Sequence, residues 1–234
     1  MSGDREPVAV VTGAAGGIGG AVVTALRRRG WRTASLDRRE APPCEVSRLV
    51  DVTDEHAVRG AIAEIEEILG PVEGLVTAAG HYRSLPFAEV TDDQVRQMVR
   101  VHLGGFALPV RAVLPGMLTR GHGSIVAVSS ELAVGGGEHD SHYAVAKGAI
   151  LGAMRSLAAE TASAGVRVNA VAPGPTDTPL LGSHSPWREK RFLSTLPTRA
   201  LADPCDVAEA VAFLLDGAGF MTGDTLHPNS GAVI

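Results

Sequence analysis

Cysteine is nearly absent: Cys44 and Cys205 are the only two in 234 residues, far apart and in no CxxC pair. That excludes a disulfide framework and a zinc site, and it fits a reducing compartment. Aromatic residues are scarce, at 4%. Alanine, valine, leucine and glycine must therefore fill the interior, which suits strands packed closely against helices. The net charge is −5 with no block of like charge, so no basic stripe offers a nucleic-acid footprint. Met1 to Pro7 carries three charges and no apolar stretch, unlike a secretory signal. Pro7 to Leu26 is twenty uncharged residues, the length of a membrane span. Five glycines interrupt it, and a strand, a tight turn and a helix start explain it better. The expectation is a cytoplasmic protein with neither nucleic acid nor membrane as a partner.

What is present is 45% apolar and 20% charged residues, enough for a sizeable core. Short apolar runs at Val8 to Thr12, Thr33 to Leu36, Arg48 to Val52, Gly74 to Ala78, Ser124 to Ser129 and Val166 to Ala172 read as strands, with Thr225 to His227 a short last one. Helical patterns lie between them. Ile18 to Arg29 is ended by Gly30, and Asp54 to Leu69 carries Val58, Ile62, Ile65 and Leu69 on one face. Thr91 and Gln94 have capping-box spacing before a stripe of Val95, Val99, His102 and Phe106. Tyr143 to Ala162 is a long helix and Asp206 to Leu215 a later one. Such alternation predicts one doubly wound α/β domain over residues 1–234, a mostly parallel, Rossmann-like sheet with helices on both faces. Pro175 to Arg199 has no clear period, and such a segment in a compact domain commonly forms a lid or binding loop.

The first strand runs directly into Thr12-Gly13-Ala14-Ala15-Gly16-Gly17-Ile18-Gly19, and a helix follows. Glycines there let the backbone turn tightly and approach a pyrophosphate, whose charge the free N–H groups of the helix start favour. Asp37 closes the second strand about twenty residues on, where a carboxylate can accept hydrogen bonds from ribose hydroxyls. It would repel a 2′-phosphate, which favours NAD over NADP. Arg38-Arg39 leaves the opposite choice open, since an arginine at that place can clamp the phosphate. Tyr143-Ala-Val-Ala-Lys147 places a phenol and an ammonium four residues apart on one helix face. The cation favours the phenolate, so Tyr143 is expected to be acidified and to exchange a proton with an alcohol or ketone.

The TGxxxGxG tract and the Tyr-Lys pair resemble the short-chain dehydrogenase/reductase family, and the resemblance runs through most of the chain. It implies a catalytic serine at Ser130, with Ser129 an adjacent rival, joining Tyr143 and Lys147. It implies dinucleotide contacts at Thr12, Gly13, Ala15, Gly16, Gly17, Ile18 and Gly19, at Asp37 and Arg38, and at Asp51-Val52. Further contacts fall at Ala79-Gly80, at Tyr143 and Lys147 themselves, and at Pro173-Gly174 with Thr176 and Thr178. Asn169, inside the preceding strand, is read as satisfying backbone groups. Two departures stand out. Thr77 and Ala78 replace a pair of asparagines before Ala79-Gly80, and His102 replaces the helix asparagine that supports a proton relay to the lysine. His102 can either serve that relay through a ring nitrogen or be a buried histidine bonded to a carbonyl. Family members are usually homotetramers, and the helix from Tyr143 and the apolar Ala232-Val233-Ile234 end are compatible with a homotetramer or homodimer.

His81, Tyr82, Arg83, Glu131, His139, Asp140 and His142 fall in loops that edge the family's substrate pocket, and Trp187, Arg188, Lys190 and Arg191 lie in the expected lid. His81, Glu131, His139 and Trp187 are the candidate substrate contacts, and a polar, even anionic, small-molecule substrate is one reading. Ordinary solvated loop surface is the other. His139-x-x-His142 lacks a third ligand at recognised spacing, so no metal site is expected. The function expected is hydride transfer between a nicotinamide and a secondary alcohol or ketone. Alternatives are a 3-oxoacyl-thioester reductase, which would prefer NADPH, a diol dehydrogenase, and a catalytically silent dinucleotide-binding sensor.

Overall fold

The computed structural model describes residues 5–41 and 43–233. The N-terminal four residues and Ile234, which the readings of the leader and of the apolar end included, lie outside them. Seven strands form one parallel sheet: β1 Val8–Thr12, β2 Arg32–Asp37, β3 Val46–Leu49, β4 Val72–Thr77, β5 Gly123–Val128, β6 Val166–Val171 and β7 Thr225–Leu226. Their spatial order is β3-β2-β1-β4-β5-β6-β7. The chain order therefore reverses between β1 and β4, and a crevice opens there at the carboxyl ends of the strands.

The strands are apolar on both faces because both are covered. Val8 and Val10 of β1, with Leu75, Ile125 and Val168, face one cluster. Ala9 and Val11, with Val76, Val126 and Val171, face the other. Side chains alternate across a strand, so each run of small branched residues feeds two cores at once. The first core is closed by α2 (Glu55–Leu69), α4 (Gly105–Arg120) and α6 (Ser141–Thr161). The second is closed by α1 (Gly17–Arg28) and α8 (Pro204–Ala212).

Local chemistry sets the ends. Asp54 accepts a hydrogen bond from the Ala57 N–H and starts α2, a cap worth about 1 kcal/mol. Thr91 and Gln94 form the reciprocal capping box of α3 (Asp92–Val99), as their spacing predicts. Most bounds shift by a residue or two, and three differences stand out. β3 is displaced to Val46–Leu49, with the Val50 N–H still donating to the Asp37 carbonyl at the end of β2. α8 begins earlier, at Pro204, because Asp203 caps it and proline suits the first turn. The expected long helix after Thr91 runs on through a π turn at Arg100–Gly104 into α4. Asp92–Arg120 as a whole is long and apolar enough to cross a membrane. Here Phe106, Val110, Val113 and Met117 of α4 are buried in the first core.

Two short helices complete the part that matters for the site. α5 (Leu132–Gly135) follows β5 directly, and α7 (Lys190–Leu193) lies in the segment that the sequence left without a period. That segment also holds single 3₁₀ turns at Pro179–Leu181 and Pro186–Arg188.

Candidate active site

The glycine turn is built without spare room. Gly13 has φ +70°, and a Cβ there would lie 2.6 Å from the Ala79 nitrogen. A Cβ on Gly19 would lie 2.2 Å from the Gly13 carbonyl oxygen. The turn is thus pressed against the end of β4, where Thr12 Oγ1 accepts hydrogen bonds from the Ala78 and Ala79 N–H groups. Gly16 stands at the N-cap of α1, and no side chain among the described residues caps that end. The N–H groups of Gly17, Ile18 and Gly19 point out of the helix start, and the helix dipole favours an anion there. The tight glycine turn and the uncapped helix start fit a dinucleotide pyrophosphate.

Asp37 reaches this turn. Its Oδ2 accepts the Ala15 N–H at 2.9 Å and its Oδ1 the Arg39 N–H at 3.0 Å. Arg39 rather than Arg38 leans towards the turn, with its guanidinium 3.5 Å from the Ala15 carbonyl; Arg38 is exposed. Asp51 turns its carboxylate back onto the Thr53 N–H, which holds its pKa below the ordinary value, and Val52 is buried against Gly105.

The second half of the crevice, about 130 Å³, is lined by Ser130, Glu131, Tyr143, Lys147, His102 and Trp187. Ile18, Gly80, Gly174, Thr176 and Thr178 line it too, so the cradle and the phenol share one space. β5 delivers Ser130 at its carboxyl end, and α6 presents Tyr143 and Lys147 one turn apart. Ser129 lines the crevice too, but its hydroxyl donates to the Lys147 carbonyl at 2.9 Å. Lys147 Nζ donates to the Val128 carbonyl at 2.8 Å and lies 5.7 Å from the centre of the Tyr143 ring. Tyr143 is held edge-on by Tyr82 and His102, at 5.2 and 5.4 Å between ring centres.

The electrostatics correct one expectation. Tyr143 is not acidified by its lysine in the protein as it stands. Burial raises the phenol above its ordinary pKa, the Ser130 hydroxyl is what lowers it, and Asp140 and Glu131 raise it further. Burial also lowers Lys147, to about 7. Both charged forms lose hydration in the same small space, and that loss is the largest cause for each.

His102 is 2% exposed. Its Nε2 lies 2.8 Å from the His81 carbonyl and 3.3 Å from the His81 N–H, while Nδ1 has no partner among the described residues. Burial first, and then the Lys147 charge, lower its pKa to about 2, so it is neutral. A Cβ on Gly80 would lie 2.4 Å from its ring, so the glycine makes room for the histidine. Thr77, in place of an asparagine, has a buried hydroxyl with no hydrogen-bond partner among the described residues.

The remaining candidates divide. Pro173 accepts the Glu131 N–H, Gly174 donates to the Pro228 carbonyl, and Thr176 Oγ1 donates to the Gly174 carbonyl. Thr178 abuts the turn: a Cβ on Gly17 would meet its methyl at 2.5 Å. Asn169 bonds the Met221 carbonyl and the Asp224 N–H, as expected of a backbone-satisfying residue. His139 and His81 do not join the crevice lining. His139 sits at φ +65° with a half-exposed side chain beside Glu138, and it serves its loop through a carbonyl that accepts the Leu85 N–H. His81 acts through its backbone on His102. The polar loop is also less solvated than its composition predicts: Tyr82 donates to Asp140 at 2.8 Å, and Asp140 is buried. Sequence reasoning missed the apolar lining from Leu132, Leu180 and Leu181, because single leucines in irregular segments carry no periodic signal. No group of His, Cys, Asp and Glu able to hold a metal occurs among the described residues.

An anion cradle and a proton-exchanging phenol in one cleft serve the two halves of one redox reaction, and they define an oxidoreductase of CH–OH groups that uses a nicotinamide dinucleotide. Comparison with known proteins narrows the class. A family model described as Enoyl-(Acyl carrier protein) reductase matches residues 13–232. An acetoacetyl-CoA reductase of Synechocystis sp. is 38% identical over 232 residues, covering 97% of this chain and 96% of that protein. The 3-oxoacyl-[acyl-carrier-protein] reductase FabG of Escherichia coli is 31% identical over 234 residues, covering 96% of each. Among solved structures, ligand-free aldohexose dehydrogenase of Thermoplasma acidophilum superposes with a TM-score of 0.89 at 29% identity, covering 97% of this chain and 94% of that one. The chain belongs to the short-chain dehydrogenase/reductase family.

Proposed function

We propose that the protein interconverts a polar secondary alcohol and its ketone with NAD(H), using Ser130, Tyr143 and Lys147. The observation that carries this reading is the convergence of these three side chains in one crevice with Ile18 and Gly174, directly beside the glycine cradle. The dinucleotide supplies or accepts the hydride when bound. Gly13 to Gly19, Ala79 and Gly80 would hold its phosphates and adjoining sugars, and Pro173, Gly174, Thr176 and Thr178 its reactive end. Asp51 and Val52 would meet the adenine. Ser130 holds the substrate oxygen. Tyr143, kept protonated by burial, gives its proton to that oxygen in reduction and takes it back in oxidation. Lys147, anchored on Val128, steadies the charge that then develops on the phenol. His102 is neutral and leaves Nδ1 without a partner among the described residues, which suits a proton relay.

Asp37 supports NAD, because its carboxylate stands beside the glycine turn where a 2′-phosphate would meet it. Trp187 and the segment at about 175–200 act as the lid. Exposed Val134 and Val145, on α5 and α6, support a homodimer or homotetramer. The cytoplasm suits a chain with two free thiols. A second reading, reduction of a 3-oxoacyl thioester, is favoured by what the Synechocystis and Escherichia coli relatives are named for. Initial rates with NAD(H) and NADP(H) across polar ketones, sugars and an acetoacetyl thioester test both. Turnover of polar ketones with NADH supports the first reading, and turnover of the thioester alone with NADPH replaces it with the second. Cofactor binding with no turnover of anything would leave a dinucleotide sensor.

A further inference from the structure

Glu131 is a carboxyl group in the wrong surroundings for a structural residue. It follows Ser130 and is 4% exposed. It lines the crevice with Ser130 and Tyr143, and its Oε2 is buried with no hydrogen-bond partner among the described residues. A buried polar atom left unpaired costs about 1–3 kcal/mol, more when charged. Its backbone is well used: the N–H bonds the Pro173 carbonyl and the carbonyl accepts from Val134 and Gly135. The side chain alone is unsatisfied. Burial is the only cause that raises it, to about 7, so no cation offsets it. Oε2 packs beside Gly174, where a Cβ would lie 2.7 Å from it and 2.7 Å from the Asn229 carbonyl oxygen. The residue nonetheless borders the crevice that Ser130, Tyr143 and Gly174 also line.

We propose that Glu131 determines substrate specificity: its carboxyl binds a substrate hydroxyl near the reacting carbon and so selects hydroxylated ketones and alcohols over acyl thioesters. This rests on the oxidoreductase reading above. The chemistry favours a hydroxyl because it both donates and accepts, so it satisfies the carboxyl whether protonated or not. A keto or thioester oxygen only accepts, and leaves an ionised Glu131 unpaired. A site with buried polar groups discriminates strongly against an analogue that lacks the matching hydroxyl.

The test compares 1-hydroxy-2-butanone, 2-butanone and an acetoacetyl thioester on wild type, Glu131→Gln and Glu131→Val. It reads kcat/KM, calorimetric binding of the hydroxyketone to cofactor-loaded protein, and cofactor Kd. Wild type is expected to favour the hydroxyketone. Glu131→Val should lose about 10- to 100-fold on it and little on 2-butanone, the equivalent of one charge-assisted hydrogen bond. Glu131→Gln, which still donates and accepts, should retain most of the preference. Binding that depends on Glu131 without any turnover would uphold the specificity role while refuting the oxidoreductase reading. A preference unchanged in Glu131→Val, or a loss confined to cofactor Kd, overturns the proposal, the second by giving the carboxyl to the cofactor.

Discussion

Replacing Tyr143 by phenylalanine removes one oxygen from the crevice and leaves the ring. The structure says what survives. The edge-on contacts with Tyr82 and His102, at 5.2 and 5.4 Å, belong to the ring. At about 0.5–1.5 kcal/mol per aromatic pair, they keep Phe in the same place and the fold intact. What disappears is the only proton that burial holds on the phenol at neutral pH. A positioned proton donor contributes about 10²–10⁴ in rate, so kcat should fall by about 3–5 kcal/mol in barrier terms at about 1.4 kcal/mol per decade. The assay follows absorbance of the reduced nicotinamide at saturating cofactor and substrate, with the melting temperature and cofactor Kd of the variant measured alongside. A folded variant with unchanged Kd and a fall in kcat of less than about tenfold, 1.4 kcal/mol, would refute the assignment of the proton to Tyr143.

Gly13→Ala forces a side chain into a left-handed conformation and onto the Ala79 backbone. It should cost more than about 2 kcal/mol of stability and abolish cofactor binding, read by thermal melting and fluorescence titration. Asp37→Ser removes the carboxylate beside Ala15. NAD affinity should drop about tenfold while NADP affinity rises, and an unchanged ratio of the two Kd values would remove Asp37 from cofactor choice. His102→Ala deletes the unpartnered Nδ1, and it should slow turnover and alter its pH profile; a superposable profile would end the relay idea. Glu131 has a folded pKa of about 7 against an ordinary 4.5. The folded state binds that proton more tightly, so this contribution to stability is complete below about pH 4.5 and is lost as pH climbs to 7. Melting temperatures over that window should decline less in Glu131→Gln than in wild type.

The strand–helix alternation and the glycine turn were legible because each is a local signal. β1 needs a β-branched run, α3 needs a Thr91–Gln94 box, and the turn needs Gly13 at a positive φ. The Tyr143–Lys147 pair was legible for the same reason, since helix spacing alone puts both on one face. Where the reading slipped, a neighbour decided. Asp203 and Pro204 moved the start of α8, and a π turn at Arg100–Gly104 widened a helix that the periodicity read as regular.

The linear chain by itself settled the fold class, the cradle and the proton-exchanging pair, because backbone geometry and helix periodicity encode these within a few residues. The tertiary structure alone set Ser129 apart from Ser130, by committing the Ser129 hydroxyl to the Lys147 carbonyl. It sent His81 and His139 away from the crevice, and drew Leu132, Leu180 and Leu181 into it. It also reversed the expected acidity of Tyr143 and left Glu131 buried without a partner. Those outcomes depend on how much water the packed elements exclude, and no local pattern of residues records that.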